Sequence, residues 1–318
     1  MDWFADNFAA VQQWLFETVV QPLAFALGAG NLLELAYDGT GWLVVGLLQI
    51  AVMLTVIGPL QHLWPVEPVT NRRAVAVDVI YTLVHRLGLF KLVMFFTFEN
   101  WLEQALGALR ARGLGTFHLD QIWPGVTDGA VVSFLIYLVV FDLANYWLHR
   151  AQHHFNWWWA LHSLHHSQRQ MTMWTDNRNH LLDDVLRSLI FVVLAIVIGV
   201  APGQFVALVA ISQLSENFQH ANLRLWFGRM GERLWVSPRF HRLHHSIGVG
   251  HETAGQGTLG GYNFGVLLPW WDMLFRTANF ELRFDATGVR DQVEQGRDYG
   301  TGFWAQQVQG FKRLVGRG

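Results

Sequence analysis

AVVSFLIYLVVFDLANYWLHRAQHH, residues 130–154, decides how the rest of the chain is read. From Ala130 to His149 it holds a single formal charge, Asp142, which is the length and polarity of a helix able to cross a hydrocarbon core of about 30 Å. The end of the stretch is of another kind. His149 and His153 stand four residues apart, and residues three or four apart share one face of an α-helix. An apolar helix finishing in two aligned imidazoles predicts a membrane segment that delivers ligands to something at its end.

Downstream the same grammar recurs. His162, His165 and His166 form one HxxHH, and His241, His244 and His245 form a second. Each cluster can aim two or three rings at one point. Imidazoles crowded together repel one another if protonated and are costly to bury unpaired, so a shared cation is the physical reason for such an arrangement. The chain has no cysteine, which excludes disulfides, thiolate-bound zinc and iron–sulfur clusters and leaves nitrogen and oxygen as metal ligands. Eight clustered histidines exceed what one tetrahedral zinc can use, and they predict two closely spaced ions.

Four more histidines need separate readings. His180 in DNRNHLLDD and His220 in NFQHAN flank the apolar stretch Val185 to Ser212. Gly199, Pro202 and Gly203 near the middle of that stretch predict a hairpin of two tilted or re-entrant helices, which returns both ends to one side. His180 and His220 therefore join the candidate ligands. His154 follows His153 directly and points about 100° away on a helix, which predicts a structural role. His251 has no cluster partner and is expected to serve a loop.

The whole composition agrees with a membrane protein: 52% of residues are hydrophobic, 14% are charged, and the mean hydropathy is +0.23. Two further stretches, Gly41 to Leu60 and Ala74 to Phe98, are expected to span, and residues 8–28, apolar on one side only, read as an interfacial helix. The N-terminus, MDWFADNF, carries acids where a cleavable signal carries lysine or arginine, so it is expected to stay on the protein. No lysine or arginine precedes Arg72. By the positive-inside rule the first span then runs inward, Arg72 and Arg73 are cytoplasmic, residues 99–129 are external, and the arginine-bearing remainder is cytoplasmic. Arg110 and Arg112 run against the rule. A net charge of -2 without a basic block gives no footprint for nucleic acid.

These readings give an all-α integral membrane bundle of about four spans, the last two as a hairpin, under a cytoplasmic helical cap that holds a histidine-rich dimetal site. The expected organisation is a membrane region at 1–129, a catalytic domain at 130–280 and a cytoplasmic C-terminal tail at 281–318.

The residues from about Phe141 to Thr277 resemble the fatty acid hydroxylase and sterol desaturase superfamily of membrane-bound, histidine-rich di-iron oxygenases. The resemblance rests on Asp142, Asn145, Tyr146, Trp147 and His149-Arg150 ahead of His153, on Trp159, His162 and His165-His166-Ser167, and on Arg178 with His180. It continues through His220-Ala221-Asn222, Ser237-Pro238-Arg239, His241, His244-His245-Ser246, Tyr262-Asn263-Phe264-Gly265 and Trp271-Asp272-Met273-Leu274-Phe275. It implies that His149, His153, His162, His165, His166, His241, His244 and His245 hold two iron ions, with dioxygen as co-substrate. Arg276, between Phe275 and Thr277, departs from the family's usual Phe-Gly-Thr ending. No His-Pro-Gly-Gly haem segment occurs, so electrons are expected from a separate cytochrome b5-, ferredoxin- or reductase-like donor.

The expected reaction is oxidation of a lipid C–H bond, by hydroxylation or desaturation, in a multi-pass protein of the bacterial inner membrane or endoplasmic reticulum. No catalytic residue is expected beyond the metal ligands. Asp142, Asn145, Asp176, Asn177, Asp183, Asp184 and Asn217 are the polar side chains nearest the clusters in sequence, and Trp157-Trp158-Trp159 is expected at headgroup depth. Two other functions compete. A zinc hydrolase is disfavoured because there is no HExxH, whose glutamate would serve as general base. A metal transporter is disfavoured because the clusters fall past helix ends rather than inside the spans.

Overall fold

The computed structural model describes residues 2–94, 97, 98, 100–113, 115–248 and 260–317. It divides into two compact units, one of residues 1–54 with 83–112 and the other of residues 55–82 with 113–318. In chain order the helices of the first part are α1 (Asp2–Leu15), α2 (Gln21–Ala26), α3 (Leu33–Val52), α4 (Gly58–Leu63), α5 (Arg72–Arg86), α6 (Leu89–Met94) and α7 (Asn100–Ala111). Those that follow are α8 (Ala130–His154), α9 (Asn156–His166), α10 (Leu181–Ile198), α11 (Pro202–His220), α12 (Gly228–Gly231), α13 (Pro238–His244), α14 (Trp270–Leu274), α15 (Arg290–Glu294) and α16 (Phe303–Leu314). The described residues form no β-strand beyond one isolated bridge, Ser246 to Thr287.

Among the described residues two helices are long and apolar enough to cross a bilayer. One is the continuous run Gly30–Leu63, in which α3 passes through a π-turn at Met53–Ile57 into α4, and the other is α8. At 1.5 Å per residue they measure about 50 Å and about 37 Å, both beyond a hydrocarbon core. They contain the expected spans Gly41 to Leu60 and Ala130 to His149. The stretch Ala74 to Phe98 is not one helix: α5 stops at Arg86 and α6 begins at Leu89. Gly88 between them stands at a φ of +80°, which interrupts the helix, and within α5 Asp78 and Thr82 are fully buried, Asp78 taking an ion pair at 2.7 Å from Arg178. Its other side is apolar and turned outward, with Ile80 and Leu83 47% and 36% exposed.

The break expected in Val185 to Ser212 falls at Gly199. Its φ of +75° is a left-handed conformation that side chains resist, so α10 ends there, and Pro202 opens α11 with its ring at a position where no backbone N–H is needed. Tyr137 of α8 donates its hydroxyl to the carbonyls of Ile198 and Gly199 at 3.3 and 3.2 Å, fixing the turn. The core of the second unit gathers here. Tyr137, Leu138 and Phe141 of α8 meet Ala195 and Ile198 of α10, Leu208 of α11 and the segment Val266-Leu267-Leu268. Each large side chain removed from water contributes about 1.5–3 kcal/mol. Buried Asp142 adds a polar latch: its carboxylate accepts from the Leu267 and Leu268 amides at 2.8 and 3.0 Å and from the Trp271 indole at 2.9 Å. That latch ties residues 264–271 to the same helix that carries His149 and His153.

Candidate metal centre

Nine histidines converge in the second unit, and they divide into two groups. His149, His153, His162, His166 and His244 form one, and His165, His220, His241 and His245 form the other, with one ring nitrogen from each residue lying within 4.8 Å of its companions. All nine are buried. The helical spacing explains the division. His162 and His166 on α9 are four apart and share a group, while His165 between them turns to the other. At the end of α13 the pattern reverses: His241 and His245 share the second group and His244 crosses to the first. Each HxxHH feeds both groups.

The nitrogens stand at ligand spacing. The Nε2 atoms of His153 and His166 are 3.1 Å apart, those of His165 and His220 are 3.0 Å apart, those of His220 and His241 are 2.9 Å apart, and those of His241 and His245 are 3.1 Å apart. Two nitrogens bound to one ion at about 2.1 Å and at right angles lie about 3 Å from each other, so the donor set fits a metal. His162 Nε2 and His244 Nε2 are buried without a hydrogen-bond partner, a costly state that a cation relieves. A centre held by imidazole alone suits iron, copper, nickel or zinc.

The opposite edges of the rings are anchored differently in the two groups. In the first, His153 Nδ1 faces the carbonyl of Gly260 at 3.1 Å, His244 Nδ1 that of Tyr262 at 2.6 Å, and His149 Nδ1 that of Phe264 at 2.9 Å. Alternate carbonyls of one short segment thus hold three rings, each as the Nδ1–H tautomer with Nε2 turned inward. His162 Nδ1 faces Asp183 at 3.3 Å, and Asp183 in turn accepts from Gln152 and from the Trp158 indole at 2.6 Å. In the second group only His220 has such an anchor, the carbonyl of Glu216 at 2.7 Å; the Nδ1 atoms of His165, His241 and His245 are buried without a partner.

The carbonyl-bearing segment is itself held. The carboxylate of Asp272 accepts from the amides of Phe264 and Gly265 at 2.8 and 2.7 Å and from the Thr277 hydroxyl at 2.6 Å. Asn263, at a φ of 59°, donates to the carbonyls of Phe240 and Asn279.

Burial sets the charge of the rings. It lowers His165, His166, His241 and His245 well below the ordinary imidazole value, and neighbouring histidines push in the same direction. His244 falls to about 3 for the same leading reason, against the opposing pull of the Tyr262 carbonyl. Burial also lowers His220, although Asp176 opposes it. Neutral rings are what metal ligation requires. A cavity of about 30 Å³ lies among His149, His162, His165, His220 and His241, bordered also by Asp176, Arg187 and Glu216. It is large enough for a water-sized molecule.

The structure brings together nine of the ten candidate ligands. His180 is in neither group. Its Nδ1 accepts from the Leu182 amide at 3.2 Å as the N-cap of α10, and its Nε2 donates to the Gln307 carbonyl at 3.0 Å. A ring used at both nitrogens has none left for an ion. His154 is exposed and turned from the centre, and His251 lies outside the described residues. Among the polar candidates Asp183 orients His162, Asp142 latches the 264–271 segment, Asn145 accepts from Arg187 at 3.4 Å, and Asn217 donates to Asp176. The tryptophan run splits: Trp158 is buried against Asp183, the Trp159 ring lies 4.9 Å from that of His153, and Trp157 is exposed. The carbonyls of Gly260, Tyr262 and Phe264 had no sequence signal of their own, since any residue supplies one.

Comparison with known proteins agrees with this centre. Residues 134–277 match the fatty acid hydroxylase family model. The ornithine lipid hydroxylase OlsE of Rhizobium tropici is 26% identical over 61% of this chain and 54% of its own length. A Delta(7)-sterol 5(6)-desaturase of Gibberella zeae is 27% identical over 44% of this chain and 42% of its own. An alkylglycerol monooxygenase of Danio rerio is 30% identical over 41% of this chain and 27% of its own. The chain therefore spans about half the length of the first relative and less of the others. No solved structure gives a comparable match. The stretch at residues 134–277, which carries all nine converging histidines, thus matches the fatty acid hydroxylase family, and the hydroxylase, desaturase and monooxygenase relatives support a place in the fatty acid hydroxylase and sterol desaturase superfamily.

Proposed function

We propose that this protein is a membrane-bound non-haem di-iron oxygenase that oxidises a C–H bond of a lipid, by hydroxylation in our preferred reading and by desaturation as the alternative outcome of the same hydrogen abstraction. The observation that carries the proposal is the pair of buried all-histidine groups at ligand spacing. His149, His153, His162, His166 and His244 would hold one iron, and His165, His220, His241 and His245 the other. The irons would supply the reduction of dioxygen and the oxidising power. In hydroxylation one oxygen atom enters the C–H bond and the other leaves as water, using two electrons and two protons from a separate donor protein.

The chain's own residues do the rest. The carbonyls of Gly260, Tyr262 and Phe264 fix three rings in the tautomer that presents Nε2, burial keeps the histidines neutral, and the closed walls exclude bulk water. The named relatives act on an ornithine lipid, a sterol and an alkylglycerol, which supports a lipid as substrate. In this reading the membrane region is 1–129, the catalytic domain 130–280 and the tail 281–318, with several spans and the centre on the cytoplasmic face. The apolar runs Gly30–Leu63 and Ala130–His154 support membrane insertion.

The test is lipid extracts compared by mass spectrometry between a deletion strain and its complement, alongside iron measured on the purified chain. A product heavier by one oxygen and two irons per chain support the proposal. Active protein free of bound transition metal refutes it.

A further inference from the structure

The last helix turns an apolar stripe outward. Along α16 the side chains of Trp304, Val308 and Phe311, with Val315 just beyond it, are 73%, 53%, 56% and 50% exposed. At 100° per residue these four positions fall within an arc of about 60°. The side that meets the protein buries Gln306, Gln307 and Arg313 and also carries half-buried Leu314 and Phe303, whose ring lies 4.5 Å from that of Tyr81. A surface helix of a globular protein normally does the reverse.

The inner side is bonded in place. Gln307 donates to the Tyr81 hydroxyl at 2.9 Å and the Asn179 carbonyl at 3.1 Å, its side-chain oxygen accepts from the Leu181 amide at 2.8 Å, and Arg313 donates to the Ala160 carbonyl of α9 at 3.1 Å. Gly310 lets the helix approach closely, since a Cβ there would come 2.4 Å from His180 Cδ2. The apolar stripe cannot turn inward without breaking these bonds.

Charge says what covers it. Residues 301–318 carry Lys312, Arg313 and Arg317 and no acid, and Lys312 and Arg317 are exposed. An apolar stripe beside cations fits a bilayer surface bearing anionic lipid, with the lysine stem lying along the hydrocarbon and its ammonium in the headgroups. Two copies face to face would instead bring like charges together. We propose that α16 is an interfacial helix lying on an anionic bilayer surface, with Trp304, Val308, Phe311 and Val315 in the lipid. Because its other face is bonded to α9, which carries three of the nine histidines, it sets the depth of the metal centre relative to the membrane surface. The proposal does not depend on the oxygenase reading.

The chain has no cysteine, so a single one can be labelled without further change. We would place nitroxide labels at Val308→Cys and Phe311→Cys, and at Glu294→Cys on exposed α15 as an aqueous reference, in the full chain in nanodiscs containing phosphatidylglycerol. Collision with oxygen should exceed collision with a water-soluble nickel chelate several-fold at Val308 and Phe311, and the order should reverse at Glu294. Nickel collision dominating at all three positions overturns the proposal. Exclusion of both reagents at Val308 and Phe311 also overturns it, because protein rather than lipid then covers the stripe. In nanodiscs of phosphatidylcholine alone the oxygen preference should weaken; a preference that does not change overturns the electrostatic half.

Discussion

Phe264 presents its carbonyl oxygen 2.9 Å from Nδ1 of His149, and the same residue gives its amide to Asp272 at 2.8 Å, so a carboxylate outside the histidine cluster controls a ring inside it. Gly260 and Tyr262 complete the row of acceptors. The second group has no counterpart.

Replacing Asp272 should therefore injure one ion and spare the other. Asp272→Ala leaves two buried amides without an acceptor, at a cost of about 1–3 kcal/mol each. Loss of ring support typically weakens metal binding about 10- to 100-fold. We expect metal titration of this variant to show one weakened site and one of ordinary affinity. Equal weakening of both would mean that the segment supports the fold and not one group.

His244→Ala and His165→Ala remove ligands from different groups. Each should abolish oxidation and lower iron content toward one per chain while the protein still enters the membrane. Turnover and full iron loading in both would defeat the ligand assignment.

His180→Ala is the contrasting case. It should retain both irons and lose about 1 kcal/mol, the usual cost of a lost N-cap. Iron analysis and a thermal melt measure the two effects separately, and loss of iron would return His180 to the ligand set.

The metal-free protein should weaken as pH falls. His165, His166, His241, His244 and His245 have folded pKa values below the unfolded value near 6.5, so the unfolded chain takes protons first and acid favours it. Their stabilising effect is complete above about pH 6.5 and is lost below it, down to about 3 for His244, at about 1.4 kcal/mol per pH unit per ring. Thermal melts of chelated protein between pH 8 and 5 should be flat above pH 6.5 and fall below it. A melting temperature that rises on acidification would contradict the buried, neutral rings.

Much of the centre was legible because helix geometry turns spacing into direction. HxxxH and HxxHH announce shared faces, and Gly199 with Pro202 announces the turn that brings His220 back. What stayed hidden depends on contacts between distant stretches. His180 has the same local look as His220, and only Gln307, far along the chain, shows that its ring is spent on structure. Ala74 to Phe98 reads as one apolar run, but Gly88 divides α5 from α6, and no property of either residue's neighbours in sequence reveals the buried pair of Asp78 and Arg178. Backbone acceptors such as the Gly260 carbonyl are common to every residue type and leave no trace in composition.

The crossing of each HxxHH between the two groups has a mechanical consequence. Because α9 and α13 each contribute histidines to both groups, a tilt or slide of either helix moves donors of both groups together, so the two groups are mechanically coupled.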